Sequence, residues 1–406
     1  MNVKSVTDLH VRDSRVLIRV DFNVPLCSDG SVLDDRRIRM ALPTINQVVD
    51  GGGIAVCMSH LGRPSGDGPE AAFSLGAVAK RLAELLGDAH RVHFVEDACR
   101  GAVVEAVIAA ASPGEVVLLD NLRFEAGEKA GDPAFAADLA AFGDAYVNDA
   151  FGTAHRAHAS MVGVPRAMGK AGKRCVAGLL LDRELRFLGA AIEHPRRPFC
   201  AVLGGAKVSD KLLAIRNLLT QVDAVIVGGG MAYTFLAAQG QCIGNSLCEV
   251  DMVETARALL AQAAGLGKTI HLPVDHVCAQ SIGVGVETRI CTQVPDGWMG
   301  LDIGPASAAA FAQCLEAAGM VVWNGPMGVF ETPPFDAGTR VVAEALRTAT
   351  QGHNAITIVG GGETAAAVDA AGVASELSHV STGGGASLRM LEGVPFESVD
   401  CLDQDG

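Results

Sequence analysis

Several features that mark other protein classes are missing from this sequence, and each absence argues against a kind of function. No run of about 18 apolar residues occurs, so no membrane-spanning helix is expected. The eleven cysteines form no C-x-x-C pair, which argues against a disulfide framework or a zinc site. Lysine and arginine number 32 against 46 acidic residues, and the net charge of −14 disfavours general nucleic-acid binding. The N-terminus lacks the apolar core of a signal peptide, so we expect a cytoplasmic protein.

Two well-known phosphate-binding signatures are also missing. The stretch "ITIVGGGETAAAV", residues 356 to 368, predicts a strand, a glycine turn and a helix starting at Thr364. Backbone N–H groups at such a helix start attract phosphate. However, the P-loop pattern needs a lysine after its last glycine, and the dinucleotide fingerprint needs G-x-G-x-x-G, whereas the acid Glu363 follows the glycines here. An NAD-dependent dehydrogenase is therefore disfavoured, and the ligand of this turn stays open.

Apolar runs that read as buried strands alternate with helical segments along the 406 residues. Ser74 and Gly87 are expected to bound one helix, and Asp132 with Pro133 and Gly143 another. This pattern predicts an α/β protein with two doubly wound parallel-sheet domains. We place the first domain at residues 1–176, a linking helix at 177–192 and the second domain at 193–390, with a tail of about 391–406 packing back on the first.

The ends of the predicted strands differ between the two halves. The first half ends its strands in polar segments rich in arginine and histidine, "RVDFNVP", "SHLGRP", "DNLRFE" and "NDAFGTAHRAH", with "DDRRIR" in a loop. The second half ends them in "GGAK", "GGGMA", "NGPMG", "GGGET" and "STGGGAS". Arginines suit a small carboxylate or phosphate, and glycine turns that lead into helices suit the phosphates of a nucleotide.

Two further patterns need interpretation. In "GGAKVSDKL", Ser209 is expected to cap a helix, which places Lys207 just before it and Lys211 in its first turn, where both could hold a phosphoryl group. The structural alternative is that both lysines are simply solvated. His155 and His158 form H-x-x-H, but no third ligand is near, so we favour anion contact or hydrogen bonding over a metal.

Eight stretches in order along nearly the whole chain resemble the signature segments of the phosphoglycerate kinase family: "RVDFNVP", "SHLGRP", "NDAFGTAHRAHAS", "GGAKVSDK", "GGGMAYTF", "LDIGP", "WNGPMGVFE" and "STGGGASL". The resemblance implies transfer of the acyl phosphate of 1,3-bisphosphoglycerate to MgADP, giving 3-phosphoglycerate and MgATP, by direct in-line transfer with hinge closure. It implies a phosphoglycerate site formed by Asp21, Asn23, Arg36, His60, Arg63, Arg123 and Arg156, with Arg36 reaching the transferred group.

The resemblance also implies a nucleotide site in the second domain. Its residues would be Lys207, Lys211, Gly229, Gly230, Asn324, Glu331, Gly361, Gly362, Glu363, Thr364, Gly384 and Gly385. Glu363 would hold the nucleotide's Mg²⁺, although the family usually has Asp there, and Arg389 stands where an acid is more usual. Arg36, Lys207 and Lys211 would be catalytic. We expect a monomer with no nucleic-acid or membrane partner. The alternative, a nucleotide-binding protein without turnover, is disfavoured because both lysines and Arg36 are present.

Overall fold

The computed structural model describes residues 3–381 and 383–404. The chain divides into two compact units: a first unit, which runs through Arg186 and resumes at Pro395, and a second unit, Phe187–Val394. The division falls inside α7 (Leu179–Glu193), a helix that occupies most of the segment predicted to link the domains. Pro195 and Pro198 follow that helix, and proline cannot continue one.

The first unit is built on a six-stranded parallel sheet. Its strands are β1 (Arg15–Val20), β2 (Ile54–Met58), β3 (Val92–Val95), β4 (Val116–Leu119), β5 (Ala145–Asp149) and β6 (Cys175–Ala177), in the spatial order β3-β4-β2-β1-β5-β6. Strands β2 and β4 are buried at every position, as expected for strands covered on both faces. The helices are α1 (Arg36–Val49), α2 (Gly76–Leu86), α3 (Ala102–Ala110), α4 (Ala126–Ala130), α5 (Pro133–Ala140), α6 (Val164–Lys170) and the terminal turn Glu397–Asp400.

The predicted helix boundaries in this unit are partly right. Asp132 caps α5, because its carboxylate accepts the N–H of Phe135 at 2.8 Å, and Gly87 ends α2 with a left-handed φ of 62°. Ser74 does not cap α2 directly, since the helix begins two residues further on, at Gly76. Its hydroxyl accepts the Gly76 N–H at 3.2 Å, and the carboxylate of Asp120 accepts the hydroxyl proton at 3.0 Å.

The second unit holds a second six-stranded parallel sheet and a small antiparallel one. The parallel strands are β7 (Phe199–Leu203), β8 (Ala224–Val227), β9 (Thr269–His271), β13 (Met320–Asn324), β14 (Ile356–Gly360) and β15 (His379–Val380), ordered β15-β14-β13-β7-β8-β9. The antiparallel sheet, absent from our expectation, joins β10 (His276–Ala279), β11 (Arg289–Cys291) and β12 (Met299–Ile303) in the order β11-β10-β12. Two parallel-sheet α/β units therefore confirm the predicted fold class.

Helices cover the larger sheet of the second unit. They are α8 (Leu212–Gln221), α9 (Met231–Ala238), α10 (Val253–Gly265), α11 (Pro305–Glu316), α12 (Ala337–His353), α13 (Gly362–Ala370) and α14 (Gly384–Leu391). Within the described ranges of the chain, no helix has both the length and the apolar character that crossing a membrane requires.

The predicted start of α8 is wrong. Ser209 does not cap the helix, because its N–H and hydroxyl both donate to the Glu249 carboxylate, at 3.0 and 2.5 Å. The helix begins at Leu212, so Lys211 occupies the capping position rather than the first turn. Helix α13 begins at Gly362, two residues before the predicted start, which places Glu363 inside its first turn.

Candidate functional site

Polar side chains meet at the carboxyl edge of the first sheet, where strands β4, β2, β1 and β5 lie side by side. Open α/β sheets bind their ligands at this edge. We call the group that collects here the basic cluster, and it comprises Arg19, Asp21, Asn23, Arg37, His60, Arg123, Arg156 and His158. Of the seven residues predicted to bind phosphoglycerate, Asp21, Asn23, His60, Arg123 and Arg156 are in it.

The loop after β2 is held from both sides. Asn23 Oδ1 accepts the Gly62 N–H at 2.8 Å, and Arg123 Nη1 donates to the Gly62 carbonyl at 2.8 Å. Arg123 is only 8% exposed, and burial lowers its pKa to about 10, with repulsion from Arg19 and Arg156 acting in the same direction. A buried guanidinium near other cations favours an anionic ligand, which would relieve that repulsion.

His60 is neutral in this surrounding. Burial lowers its pKa well below the ordinary value, and the nearby guanidinium groups of Arg19, Arg123 and Arg37 lower it further. Its Nδ1 lies 3.9 Å from a carboxylate oxygen of Asp21, too far for a hydrogen bond, and a neutral ring forms no ion pair. The same Nδ1 lies 3.2 Å from Nη2 of Arg19.

The structure places Arg36 and Arg37 in different surroundings. Successive residues on a helix point about 100° apart, so the two arginines that open α1 leave it in different directions. Arg37 faces the cluster, because its Nη1 donates to Asp21 Oδ2 at 2.6 Å. Arg36 is exposed and instead lines a separate cleft, together with residues that include Asp35 and Lys80.

Besides Arg36, two of the seven predicted residues are exposed: Arg63 and the cluster member Arg156. His158 is buried, and burial lowers its pKa to about 4, with added repulsion from Arg19 and other cations. In the part of the chain that the structure describes, no group of three or more His, Cys, Asp or Glu residues could hold a metal.

The sequence analysis missed three buried polar residues: Arg19 within the cluster, and Ser160 and Glu128, which are linked to it by hydrogen bonds. Arg19 does carry a signal, since it is the one charge within the apolar part of "VLIRV", and a charge in a buried strand calls for partners. Glu128 lies in "EAGEKAG", a segment that reads like any exposed helix turn. Only the three-dimensional packing shows that it is fully buried.

In the second unit, glycine turns meet at the carboxyl edge of strands β13, β7 and β8. Gly205 N–H donates to the Pro326 carbonyl at 3.0 Å, and Gly229 N–H donates to the Met327 carbonyl at 2.9 Å. Gly229 has a φ of 67°, and a Cβ there would lie 2.6 Å from Gly205 N. The turns therefore interlock through the backbone, and side chains at these glycines would force them apart.

Lys211 and Asn324 form the polar centre of this edge. Lys211 Nζ donates to Asn324 Oδ1, and burial lowers the Lys211 pKa to about 8 in spite of the opposing charges of Glu363 and Asp210. Asn324 is 3% exposed, and its Nδ2 has no hydrogen-bond partner among the described residues. Buried unpaired donors of this kind are rare, and this N–H₂ group is free to donate to a bound molecule. Lys207 is exposed.

A cavity of about 460 Å³ opens beside these turns. Its lining is mostly apolar, and the residues include Ala206, Gly229, Gly230, Tyr233, Leu247, Ile282, Met299, Leu301, Val329, Glu331 and Glu363. A largely apolar cavity with a few polar groups is typical of a small-molecule site. The sequence did not indicate Tyr233, Leu247 or Ile282, because isolated apolar residues look alike whether they pack in a core or face a ligand.

Only some of the glycines predicted to bind the nucleotide line this cavity. Gly229 and Gly230 line it, whereas residues 360–362 and 383–385 lie outside its lining. The latter two turns meet each other, since a Cβ on Gly384 would lie 3.0 Å from Gly362 N. Gly361 has a φ of 97°, and Thr364 Oγ1 accepts the N–H of Gly325 at 2.7 Å. Two helix starts, at Gly362 and Gly384, thus lie close together, near Asn324.

Comparison with known proteins gives consistent results. Residues 6–394 match the family model described as Phosphoglycerate kinase. The phosphoglycerate kinase of Rhodopirellula baltica is 51% identical over 408 residues, covering 100% of both chains, and that of Moorella thermoacetica is 51% identical, covering 98% and 99%. The solved phosphoglycerate kinase of Coxiella burnetii superposes with a TM-score of 0.88 at 38% identity, covering 98% of both chains. That of Pyrococcus horikoshii gives 0.82 at 30% identity, covering 98% and 97%.

Proposed function

We propose, from the premise that the chain belongs to the phosphoglycerate kinase family, that the basic cluster binds phosphoglycerate and that the turns of the second unit bind the nucleotide. Membership confirms the family predicted from the sequence and makes the chain a phosphotransferase with a carboxyl acceptor. The reaction is the reversible transfer of the acyl phosphate of 1,3-bisphosphoglycerate to ADP, giving 3-phosphoglycerate and ATP. A nucleotide-binding protein without turnover is not favoured.

The observation that carries the first assignment is the excess of positive charge in the basic cluster, which holds four arginines and one carboxylate, that of Asp21. Arg123 is held in place by Gly62 before any ligand arrives, and neutral His60 stands beside it. A small ligand with a carboxylate and a phosphate would pair with guanidinium groups that otherwise repel one another. We assign this role to the predicted first domain, residues 1–176, and the nucleotide role to residues 193–390.

We propose that Arg37, rather than Arg36, contacts the transferred phosphoryl group. Both arginines start α1, but Arg37 is tied to Asp21 within the basic cluster and Arg36 lines another cleft. A guanidinium that neutralises charge developing on the transferred group must stand within reach of the substrate. We therefore assign to Arg37 the role that the sequence had predicted for Arg36.

For the nucleotide, we propose that the base enters the cavity and that Glu331 on its wall contacts the ribose. The phosphates would then extend toward Lys211, the unpaired Nδ2 of Asn324 and the helix starts at Gly362 and Gly384. Backbone N–H groups at a helix start point at such phosphates. Gly361, Gly385 and the exposed Lys207 flank this path, whereas the Thr364 hydroxyl is engaged by the Gly325 N–H and fixes the turn.

The residues present fit a nucleotide-bound Mg²⁺. Glu363 is exposed, lies in the first turn of α13 and also lines the nucleotide cavity. Because Mg²⁺ keeps several waters and is commonly held by one or two carboxylates and substrate phosphates, a single carboxylate at this position is sufficient. When bound, the ion would neutralise phosphate charge, and we propose Glu363 as its protein ligand.

Steady-state ATP formation from 1,3-bisphosphoglycerate and MgADP tests the proposal. We expect turnover that is lost when either substrate is omitted and that is strongly reduced by Arg123→Ala, which removes the buried cation. An enzyme that binds ADP but forms no ATP would support the alternative of a binding protein without turnover. We also propose that the protein is a cytoplasmic monomer, and analytical ultracentrifugation tests its oligomeric state.

A further inference from the structure

A series of hydrogen bonds joins a buried carboxylate to His60 within the first unit. Glu128, on α4, is 0% exposed and accepts both the backbone N–H and the hydroxyl of Ser160, at 2.9 and 2.6 Å. Ser160 Oγ lies 2.8 Å from Nε of Arg19. Arg19 is also 0% exposed, and its Nη2 lies 3.2 Å from His60 Nδ1. The series of hydrogen bonds through these three fully buried residues therefore ends at Nδ1 of His60.

The chemistry of these groups fixes the direction of every bond in the series. A carboxylate only accepts hydrogen bonds and a guanidinium only donates them, whereas a hydroxyl has a single proton to give. Ser160 Oγ–H therefore donates to Glu128 and accepts from Arg19 Nε–H. By the same rule, Arg19 Nη2–H donates to His60 Nδ1, which must carry a lone pair. In a neutral ring the proton is then on Nε2.

We propose that Glu128, Ser160 and Arg19 are positioning residues that hold His60 in its Nε2–H tautomer, so that the ring donates a hydrogen bond to an anionic oxygen of bound phosphoglycerate. The opposite tautomer would present a lone pair to that anion, which is repulsive. The identity of the ligand rests on the function proposed above, whereas the tautomer does not depend on it.

A purely structural role for the same residues makes different predictions. Arg19 also donates to the Val20 carbonyl, and the Ser160 carbonyl accepts a hydrogen bond from Tyr146 at 2.9 Å, so the network ties β1 and β5 to the turn Ala159–Gly163. If that were its only purpose, loss of the Ser160 hydroxyl would lower the melting temperature and leave the His60 proton in place. The tautomer is therefore the decisive quantity.

Long-range nitrogen–proton correlation spectra of the full chain, labelled with ¹⁵N-histidine, report that quantity directly. The chain has eleven histidines, and His60→Gln identifies the His60 signals by their loss. In the wild type we expect an unprotonated Nδ1 and a protonated Nε2. In Ser160→Ala, Arg19 loses the acceptor of its Nε, while Glu128 keeps the backbone N–H at position 160, so the fold is retained and the tautomer becomes mixed.

Ser398→Ala is the matched control, because the Ser398 hydroxyl is equally buried and donates to the Ala154 carbonyl at 2.6 Å, which is not a member of the series. It should leave the His60 spectrum unchanged. Glu128→Gln provides a second variant: it replaces one accepting oxygen by an N–H₂ group and should also shift the tautomer. A protonated Nδ1 in the wild type would overturn the proposal, as would a His60 spectrum that neither Ser160→Ala nor Glu128→Gln alters.

Steady-state kinetics add a second readout. A lost hydrogen bond to an anionic ligand predicts that Ser160→Ala raises KM for 3-phosphoglycerate about tenfold. KM for ATP and kcat should change little. A fall in kcat with an unchanged KM for 3-phosphoglycerate would count against the positioning role. If the wild type formed no product at all, the proposed function would fail, while the spectra would still decide the tautomer.

Discussion

At the scale of single residues, the pair Arg36 and Arg37 offers a direct test of the proposed site. Arg37→Ala should lower kcat by roughly 10³-fold, as loss of an arginine that stabilises the transition state does in other phosphoryl transfers. Arg36→Ala is the matched control, and it should leave kcat within a few-fold of the wild type because Arg36 lines a separate cleft. Steady-state kinetics of both variants decide the matter. The reverse ranking would restore the role first predicted for Arg36.

Glu363 separates a metal role from a structural one. Glu363→Gln keeps the size of the side chain and removes its charge. If Glu363 is the ligand of nucleotide-bound Mg²⁺, kcat should fall strongly and the Mg²⁺ concentration for half-maximal activity should rise. If it only favours the N-terminus of α13, the melting temperature should drop slightly and turnover should stay near normal.

The conservative change Glu363→Asp serves as the control. It should retain substantial activity under the metal role, because the glycines that precede position 363 allow the turn to adjust to a shorter acid. Activity is best measured across a magnesium titration. A Glu363→Gln variant that matches the wild type throughout that titration would remove the metal assignment.

We predict that Lys211 makes nucleotide binding depend on pH. Its pKa in the ligand-free protein is lowered to about 8 by burial, against an ordinary value of 10.5, so the cation is lost as the pH rises through 8. If only the charged lysine binds phosphate, the Kd for ADP should increase up to about tenfold for each pH unit above that point. Calorimetry of ADP binding between about pH 7 and 9.5 measures this change.

Lys211→Arg is the control, because arginine stays charged over the whole range. Its absolute affinity can differ from that of the wild type, but its pH dependence should be much flatter. The pH dependence of folding stability has the opposite sign. Between pH 8 and 10.5 the unfolded chain keeps the Lys211 proton that the folded protein has lost, so the contribution of Lys211 to stability rises with pH in that window. Two equally steep binding curves would show that Lys211 is not the titrating group.

At the scale of elements, the interlocked glycine turns should tolerate no side chain. In Gly229→Ala, the new Cβ would lie 2.6 Å from Gly205 N and 2.9 Å from the Pro326 carbonyl oxygen, both backbone atoms that cannot rotate away. We expect KM for ADP to rise about tenfold or more, because the turns that border the cavity would separate.

Gly240→Ala isolates the cost of backbone conformation. Gly240 has a φ of 79°, close to the 67° of Gly229, but nothing lies within 4 Å of its Cβ position. That variant should lose about 1–2 kcal/mol of stability through strain alone and keep a normal KM. Urea unfolding and steady-state kinetics of the two variants distinguish steric conflict from strain. Equal effects on KM would show that the close approach at Gly229 is unimportant.

The elements themselves were largely predictable, because continuous apolar runs and helix caps are local signals. Asp132 next to Pro133 identified the start of α5 correctly. Ser209 failed as a cap because a distant carboxylate, Glu249, takes both of its donors. Local sequence gives no sign of such a competitor. The small antiparallel sheet was not predicted, because its strands β10 and β11 span only four and three residues and carry little sequence signal.

Residues of the candidate site could be predicted where the residue type itself indicates a ligand contact. They could not be predicted where their role depends on how the folded chain packs. Glycines before helices and arginines after strands were recognised from the sequence alone. Two adjacent arginines could not be told apart without the hydrogen bond between Arg37 and Asp21. Glu128 could not be recognised at all, because its importance arises from burial and from contact with Ser160, which is 32 positions away.

At the scale of the whole molecule, the two proposed binding sites are built on different units, and we predict that both ligands together close the molecule for direct transfer. The helix Leu179–Glu193, in which the division falls, is the natural place for a hinge. Closure would also keep water away from a hydrolysable acyl phosphate. Because each ligand alone contacts one unit, neither should close the molecule fully.

Small-angle X-ray scattering tests this expectation with four samples: the free protein, the protein with 3-phosphoglycerate, with MgADP, and with both. The radius of gyration should decrease most with both ligands present. Gly229→Ala is an internal control, because weakened nucleotide binding should shift the decrease to higher MgADP without abolishing it. A decrease of full size with one ligand alone would contradict closure that depends on both sites, and an unchanged radius in the saturated complex would contradict a hinge.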